Sequence, residues 1–532
     1  MLSQPTSMRV RAVGEWVLAT QRAYANPFAD LTVQATFAGP SEASVTVPAF
    51  YDGDGTWRVR FRPAQPGPWH CSTWSWPHDP DLAQEVSFEV AAGALDPRGY
   101  LISTPGRAWG FQYESGEPAF ILGDTTYNLF GMAHCGYDVD SFLDRRARQG
   151  FNLLRVRVPV SPFHPPEGYS AWQTRRTWPW GGSEQAPRFD LFNLDYFRTV
   201  DRVVRRAEGL GIGLEVIMEA WGFEFPFNSR QVFTPEWEEL WMRYLIARYD
   251  AYNCVYFWTL MNEYEYYPNG DWHYKPVADR WAMRMGRWVK ALAPHGHIVA
   301  VHNGPREPAF ARRLAADPGA IDAILFQEWG TRGKEDGWLA AGIEESIASA
   351  LKGWWGSAVF AEWGYERNPC FPLSVPGHLY CDAEHTRRGA WRGAFCGLGI
   401  IHGFENSWGP FLDLEHDQEG IEYLLILRHF FTEVVPFARL RPEPGLLASH
   451  EHAWGHSPSV LASADGDVVA VYLPTGGEAA LNLPRPPAAY GARWLNPCTG
   501  ELSDAGPGGS PWSAPPVMHR GHPQDWVLVL RA

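Results

Sequence analysis

The stretch Val255-Tyr256-Phe257-Trp258-Thr259-Leu260-Met261-Asn262-Glu263 is an apolar run that stops abruptly on an amide and a carboxylate. Amphipathic stretches flank it, Pro235–Tyr249 before and Val277–Leu292 after. A short strand buried on both faces and followed by a helix is one unit of a parallel sheet. Seven further runs repeat the arrangement: Ala119–Leu122, Leu153–Pro159, Leu214–Met218, Ile298–Val301, Ala323–Phe326, Ala358–Ala361 and Gly399–Phe404. Helix-like segments Val139–Gln149, Leu194–Gly209 and Glu344–Trp354 fall between them. Eight strand-then-helix units predict an α/β fold, a closed (β/α)8 TIM barrel. The rival, a doubly wound open sheet, usually carries a glycine-rich phosphate loop after its first strand. No such loop follows Leu122.

Outside this region the periodicity changes. Glu15–Leu18, Leu31–Phe37, Thr56–Phe61 and Val86–Val90 alternate as strands, separated by turn signals such as Asn26-Pro27 and Asp52-Gly53-Asp54-Gly55. The last of these has the look of a calcium loop but lacks the remaining ligands, so it reads as a hairpin turn. Near the other end Val460–Ser463, Val468–Leu473, Ala479–Leu483 and Trp526–Leu530 are strand-like, with Pro- and Gly-rich connections. Three domains are therefore expected: a small Ig-like β-sandwich over 1–94, the barrel over 95–435, and a second β-sandwich over 436–532.

Composition narrows the function. The chain carries a formal charge of −15, which disfavours nucleic acid and anionic membrane, since both are bound through Lys and Arg. Its 532 residues include 27 Trp, and indole faces suit the C–H faces of sugar rings. No apolar leader follows Met1 and no run is long enough to span a bilayer, so a cytoplasmic location is expected. The seven Cys are scattered without a CxxC pair, in keeping with reduced thiols. Zinc spacings and GxSxG are absent, so neither a cofactor nor a serine nucleophile is expected. The remaining partner is a carbohydrate substrate, and homo-oligomer formation is left open.

In a TIM barrel the working residues gather at the C-terminal strand ends. Here those positions hold Asp124, Arg155, Arg157, Glu219, Asn262, Glu263, His302, Asn303, Gln327, Glu328, Glu362, Glu405, Asn406 and Trp408. Strand four ends in Asn262-Glu263 and strand seven in Ala361-Glu362-Trp363-Gly364. Strands four and seven face each other across the mouth, so Glu263 and Glu362 can flank a substrate. Glycosidic cleavage needs such a pair, one acid to protonate the departing oxygen and one carboxylate to attack the anomeric carbon.

Asn262-Glu263, the Ala-Glu362-Trp-Gly context and Gly150-Phe151-Asn152-Leu153-Leu154-Arg155 resemble the signature of clan A glycoside hydrolases. The domain order, Gly123-Asp124-Thr125, the Asp52-Gly-Asp-Gly-Thr-Trp-Arg-Val-Arg-Phe stretch and Val471-Tyr472-Leu473-Pro474 resemble a narrower group. That group has an apiosidase-like barrel and a C-terminal sandwich of the "putative collagen-binding" type. Apiosidases carry Asp at the strand-four acid position, so the resemblance does not imply apiose as substrate. It does imply a retaining hydrolase with Glu263 as acid/base and Glu362 as nucleophile.

Arg155 would keep Glu362 ionised, and Asn262 would donate to the sugar 2-hydroxyl. His302, Gln327 and Trp408 would wall the subsites. Asp124, Glu219, Trp221, Tyr264, Glu328 and Trp363 are further candidates for substrate contact, and Glu265 and Glu328 are alternative acids. Loop aromatics Trp172, Trp178, Trp180, Trp221, Phe223, Tyr264, Tyr266, Tyr267 and Trp272 are expected to close the pocket. Two other readings stay open: a non-catalytic carbohydrate-binding protein, and a polysaccharide lyase using Arg155, Arg157, Arg175 and Arg176 on a uronate.

Overall fold

The computed structural model describes residues 8–41, 44–93, 96–159, 177–222, 224–304, 310–328, 342–367, 380–403, 414–448, 456–506 and 509–532. Eight parallel strands close a barrel: Leu122–Thr125, Leu153–Arg157, Gly213–Trp221, Val255–Asn262, Ile298–His302, Ala323–Gln327, Ser357–Glu362 and Gly399–His402. Each overlaps one of the apolar runs. The first is displaced, because Ala119 and Ile121 lie below the strand rather than in it. They join Leu153, Phe257, Ile298, Ala323 and Leu325 in the apolar floor of the barrel. A hairpin, Leu101–Ser103 paired with Phe111–Tyr113, seals that floor, with Phe111 edge-on to Phe257 at 5.5 Å. The bottom of the barrel is thus a dry core, and polar groups are confined to the upper layers.

Helices Val139–Gln149, Leu194–Leu210, Pro235–Tyr249, Pro276–Leu292 and Ala383–Phe395 cover the outside. Caps explain two of the starts. Asp138 and Asn193 each accept a backbone N–H from the first turn, and Gly150 and Gly211 end those helices in the left-handed region. The segment expected over Glu344–Trp354 is helical only over Ile343–Ala350. Among the described residues no helix is long and apolar enough to cross a membrane.

The N-terminal sandwich packs a five-stranded sheet against a three-stranded one around Trp16, Phe37, Trp57, Phe61 and Trp69. Phe37 and Phe61 stack across it at 4.0 Å. The Asp52-Gly-Asp-Gly segment is the expected hairpin turn between strands Phe50–Gly53 and Thr56–Phe61. Its Asp52 has a second task. Arg58 donates to it at 2.6 Å, and Arg248 of the helix Pro235–Tyr249 donates at 3.2 Å. Arg60 and Arg248 also converge on buried Asp201, at 2.6 and 2.8 Å. The sandwich is therefore tied to the barrel through a buried ionic knot. The strand Gly67–Trp76, ten residues long, is marked by no clear alternation in the sequence.

The C-terminal sandwich is a six-stranded sheet with the Glu478–Ala479/Trp512–Ser513 pair packed over it around Val469, Leu481, Trp494, Trp512 and Leu528. Of the run Ala479–Leu483 only Ala479 is in a strand, since prolines follow. Arg387 of the helix Ala383–Phe395 donates to buried Asp525 at 2.8 Å, which fixes this domain to the opposite side of the barrel.

Candidate active site

Four consecutive design features bring the site together. The first is Gly150-Phe151-Asn152, where the helix Val139–Gln149 ends. Phe151 enters the core, and Asn152 bridges to strand one, accepting from Leu122 N at 2.9 Å and donating to Phe120 O at 2.8 Å. This sets the register that points Arg155 into the barrel. The second is a bulge in strand seven. Phe326 pairs with Phe360 but Gln327 pairs with Glu362, so Ala361 is an extra residue. Val359 and Ala361 already face inward, and alternation alone would send Glu362 outward. The bulge turns it into the mouth.

The third feature is the backbone of Glu263. Its φ of 53° lies in the left-handed region, a costly place for a residue with a Cβ, on the order of 1–3 kcal/mol. This turn ends strand four and starts the short helix Tyr264–Tyr266. The fourth is Arg155, fully buried. It donates to Glu362 Oε1 at 2.5 Å and, through its other terminal nitrogen, to Asn262 Oδ1. Its Nε lies 3.2 Å from Glu215 Oε2. One guanidinium therefore joins strands two, three, four and seven.

Around Glu362, Tyr127 donates to Oε1 at 2.9 Å, and neutral His302 brings Nε2 to 3.3 Å. Burial, and then the charge of Arg155, hold the His302 pKa well below the usual histidine range. Tyr127 is itself braced, with Arg155 and Arg157 each 5.1 Å from its ring and Trp221 edge-on at 5.3 Å. Glu263 Oε1 accepts from Gln327 at 2.8 Å. Burial and then the nearby Glu362 charge push the Glu263 pKa up to about 8, against weaker opposing effects of Gln327 and Arg155.

What is left over is informative. Among the described residues, Glu263 Oε2, Glu362 Oε2 and Asn262 Nδ2 are buried without a hydrogen-bond partner. Orphaned buried polar atoms are costly and ask for a partner. Three such atoms lie side by side here, one on each carboxylate and one on the amide of Asn262.

Several expected contacts fall elsewhere. Asp124 is sealed beneath the mouth, with Oδ1 on His402 at 3.1 Å and Oδ2 accepting from Arg146 at 2.7 Å. His402 continues to Glu366 at 3.3 Å. Burial would lower the His402 pKa, but Asp124 and Glu366 outweigh it and raise it to about 9. Glu219 is buried against Arg230 at 2.6 Å, and Arg230 also reaches Glu238 of the following helix. Tyr264 turns outward and donates to Asp279 at 2.9 Å. Trp363 stacks on Phe360 in the shell between barrel and helices. Trp221 is buried behind Tyr127 and Arg157.

Of the alternative acids, Glu265 is occupied by Gly304 N at 2.7 Å and by Arg313 at 3.3 Å. Glu328 is half-buried, raised by burial to about 7, and its backbone N–H donates to Glu362 O. Trp180 packs on Trp241 at 4.5 Å and Trp178 on Phe225. Tyr267 stacks on Trp281, while Tyr266 and Trp272 form a pair at 5.0 Å. Trp172, Arg175, Arg176, Phe223, Glu405, Asn406 and Trp408 lie outside the described residues.

Sequence reasoning missed Glu215, Tyr127, Glu366 and His402. Glu215 had a signal, because a lone carboxylate inside a run as apolar as Gly213–Met218 must be paired.

Residues 107–419, more than half of the chain, match the family model described as "Apiosidase-like, catalytic domain". The chain belongs to the apiosidase-like family. In this family member, residues 10–75 also match a domain of unknown function, and residues 442–531 match a "Putative collagen-binding domain of a collagenase". No curated protein matches it significantly. A "putative glycoside hydrolase" from Bacteroides vulgatus has a similar structure, with a TM-score of 0.72 and 16% identity, covering 99% of this chain and 100% of that one. A family 5 glycoside hydrolase from the same organism gives a TM-score of 0.59 at 17% identity, covering 82% of this chain and 94% of that one. At these identities the likeness shows a shared glycoside hydrolase fold.

Proposed function

We propose that this apiosidase-like protein is a retaining glycoside hydrolase, acting on an oligosaccharide or small glycoside through a glycosyl-enzyme on Glu362. One observation carries the reading: two buried carboxylates each have one oxygen held by protein and the other, among the described residues, unpartnered. Glu263 enters the reaction protonated. It gives its proton to the glycosidic oxygen as the bond to the anomeric carbon breaks, and Glu362 Oε2 attacks that carbon. Asn262 Nδ2, unpartnered among the described residues, donates to the sugar 2-hydroxyl. Glu362 loses its charge on becoming an ester, which removes one of the two causes that raise Glu263. Glu263, now a carboxylate, accepts a proton from water as that water displaces Glu362.

The grip on Glu362 favours this course over inversion. Arg155 and Tyr127 fix Oε1 and aim the carboxylate, as a nucleophile requires, rather than leaving it free to hold a water. The alternatives have less support. A mere binding protein gains nothing from two buried, half-satisfied carboxylates. For a lyase, Arg155 and Arg157 are already occupied by Glu362 and Glu224. The reading is tested by following hydrolysis of a panel of aryl glycosides by proton NMR. The first sugar released is expected to keep the anomeric configuration of the glycoside cleaved. Release of the opposite anomer would overturn double displacement.

A further inference from the structure

We infer that the outer face of the N-terminal sandwich, around Trp74 and Trp76, is a binding surface for a neutral polysaccharide chain, separate from the barrel mouth. The strand Gly67–Trp76 begins as an ordinary sandwich strand, with Trp69 and Cys71 buried and Pro68 and His70 exposed. At its end the polarity is inverted. Thr73 and Ser75 face the core at 6% and 5% exposure, whereas Trp74 and Trp76 face solvent at 44% and 73%. The inward hydroxyls are accommodated by backbone, with Thr73 Oγ1 donating to Leu82 O at 2.7 Å and Ser75 Oγ to Pro77 O at 3.0 Å. An indole pair thus stands on the solvent side of a strand that buries Thr and Ser instead.

The surroundings select the ligand. The neighbouring strand Thr32–Ala38 places Gln34 beside Trp74 and Thr32 beside Trp76, and Ser72 and Thr36 continue the row. The two Trp are about 6.8 Å apart along the strand, the scale of a sugar ring. Indole faces offer the C–H packing surface, and the adjoining amide and hydroxyls offer hydrogen bonds. Neither strand carries Lys or Arg. The strand on the other side adds Glu85 and Glu89 to the same face. A polyanion would therefore be repelled. The pair also offers far less than the roughly 800 Å² per partner of a stable protein interface. A neutral glycan chain laid across a flat sheet face is the occupant that fits.

This inference does not depend on the hydrolytic reading, because binding is measured without turnover. The full-length protein, with Glu263→Gln to silence hydrolysis, is run on native gels containing hydroxyethylcellulose, xylan, β-mannan, mixed-linkage β-glucan or polygalacturonate. A Trp74→Ala/Trp76→Ala derivative, checked for unchanged thermal unfolding, is run beside it. Retardation by at least one neutral polysaccharide, weakened about tenfold or more in the double variant, and none by polygalacturonate, is expected. Equal retardation of both proteins, or none in any neutral gel, would overturn it. So would a concentration-dependent dimer on gel filtration that the double substitution abolishes, which would make the face a self-association surface.

Discussion

Burial raises the Glu263 pKa, and that carries a cost. With its pKa raised from the ordinary 4.5 to about 8, the folded protein holds a proton that the unfolded chain releases. That contribution is complete below about pH 4.5 and is lost as pH rises towards 8. Glu263→Gln, which cannot ionise, should therefore gain stability over wild type through this window, by up to about 1.4 kcal/mol per pH unit. Wild-type kcat/KM should fall through an apparent pKa of about 8 on the alkaline side. Urea unfolding at several pH values, with a pH–rate profile, checks both. A stability gap independent of pH would mean that Glu263 ionises normally. That Glu263, Glu362, Arg155 and Asn262 meet at the mouth was legible because all four stand at or near the C-terminal ends of barrel strands. Direction was not. Tyr264 and Trp363 adjoin the two carboxylates in sequence, yet the left-handed turn at Glu263 and the bulge at Ala361 send them outward.

Each barrel strand was visible as an apolar run, because strands buried on both faces cannot alternate. Their polar interior was harder to see. Glu215 sits mid-strand, where its carboxylate contacts Arg155 and accepts from Thr259 at 3.0 Å. It acts as a footing for the guanidinium that holds Glu362. Glu215→Ala leaves a buried cation short of one partner, so a loss of roughly 3–5 kcal/mol is expected in denaturant unfolding, together with lower kcat. A loss under about 1 kcal/mol would show that Glu362 alone balances Arg155. The strand Gly67–Trp76 was missed for a related reason: inward Thr and Ser and outward Trp erase the alternation by which a sandwich strand is read.

At the scale of the molecule, the barrel carries the chemistry and two sandwiches are fastened to it by buried ionic contacts, Asp201 with Arg60 and Arg248 on one side and Asp525 with Arg387 on the other. Three-part organisation followed from the change in periodicity along the chain. The fastening did not, because its partners are distant in sequence and each reads alone as surface charge. The central claim is that Glu362 forms the covalent bond to the sugar. It is tested most directly by Glu362→Ala with azide on an aryl glycoside that the wild type hydrolyses. The account predicts that hydrolysis is lost without azide and that azide restores turnover, yielding a glycosyl azide of inverted anomeric configuration. Unchanged hydrolysis by Glu362→Ala in the absence of azide would contradict it.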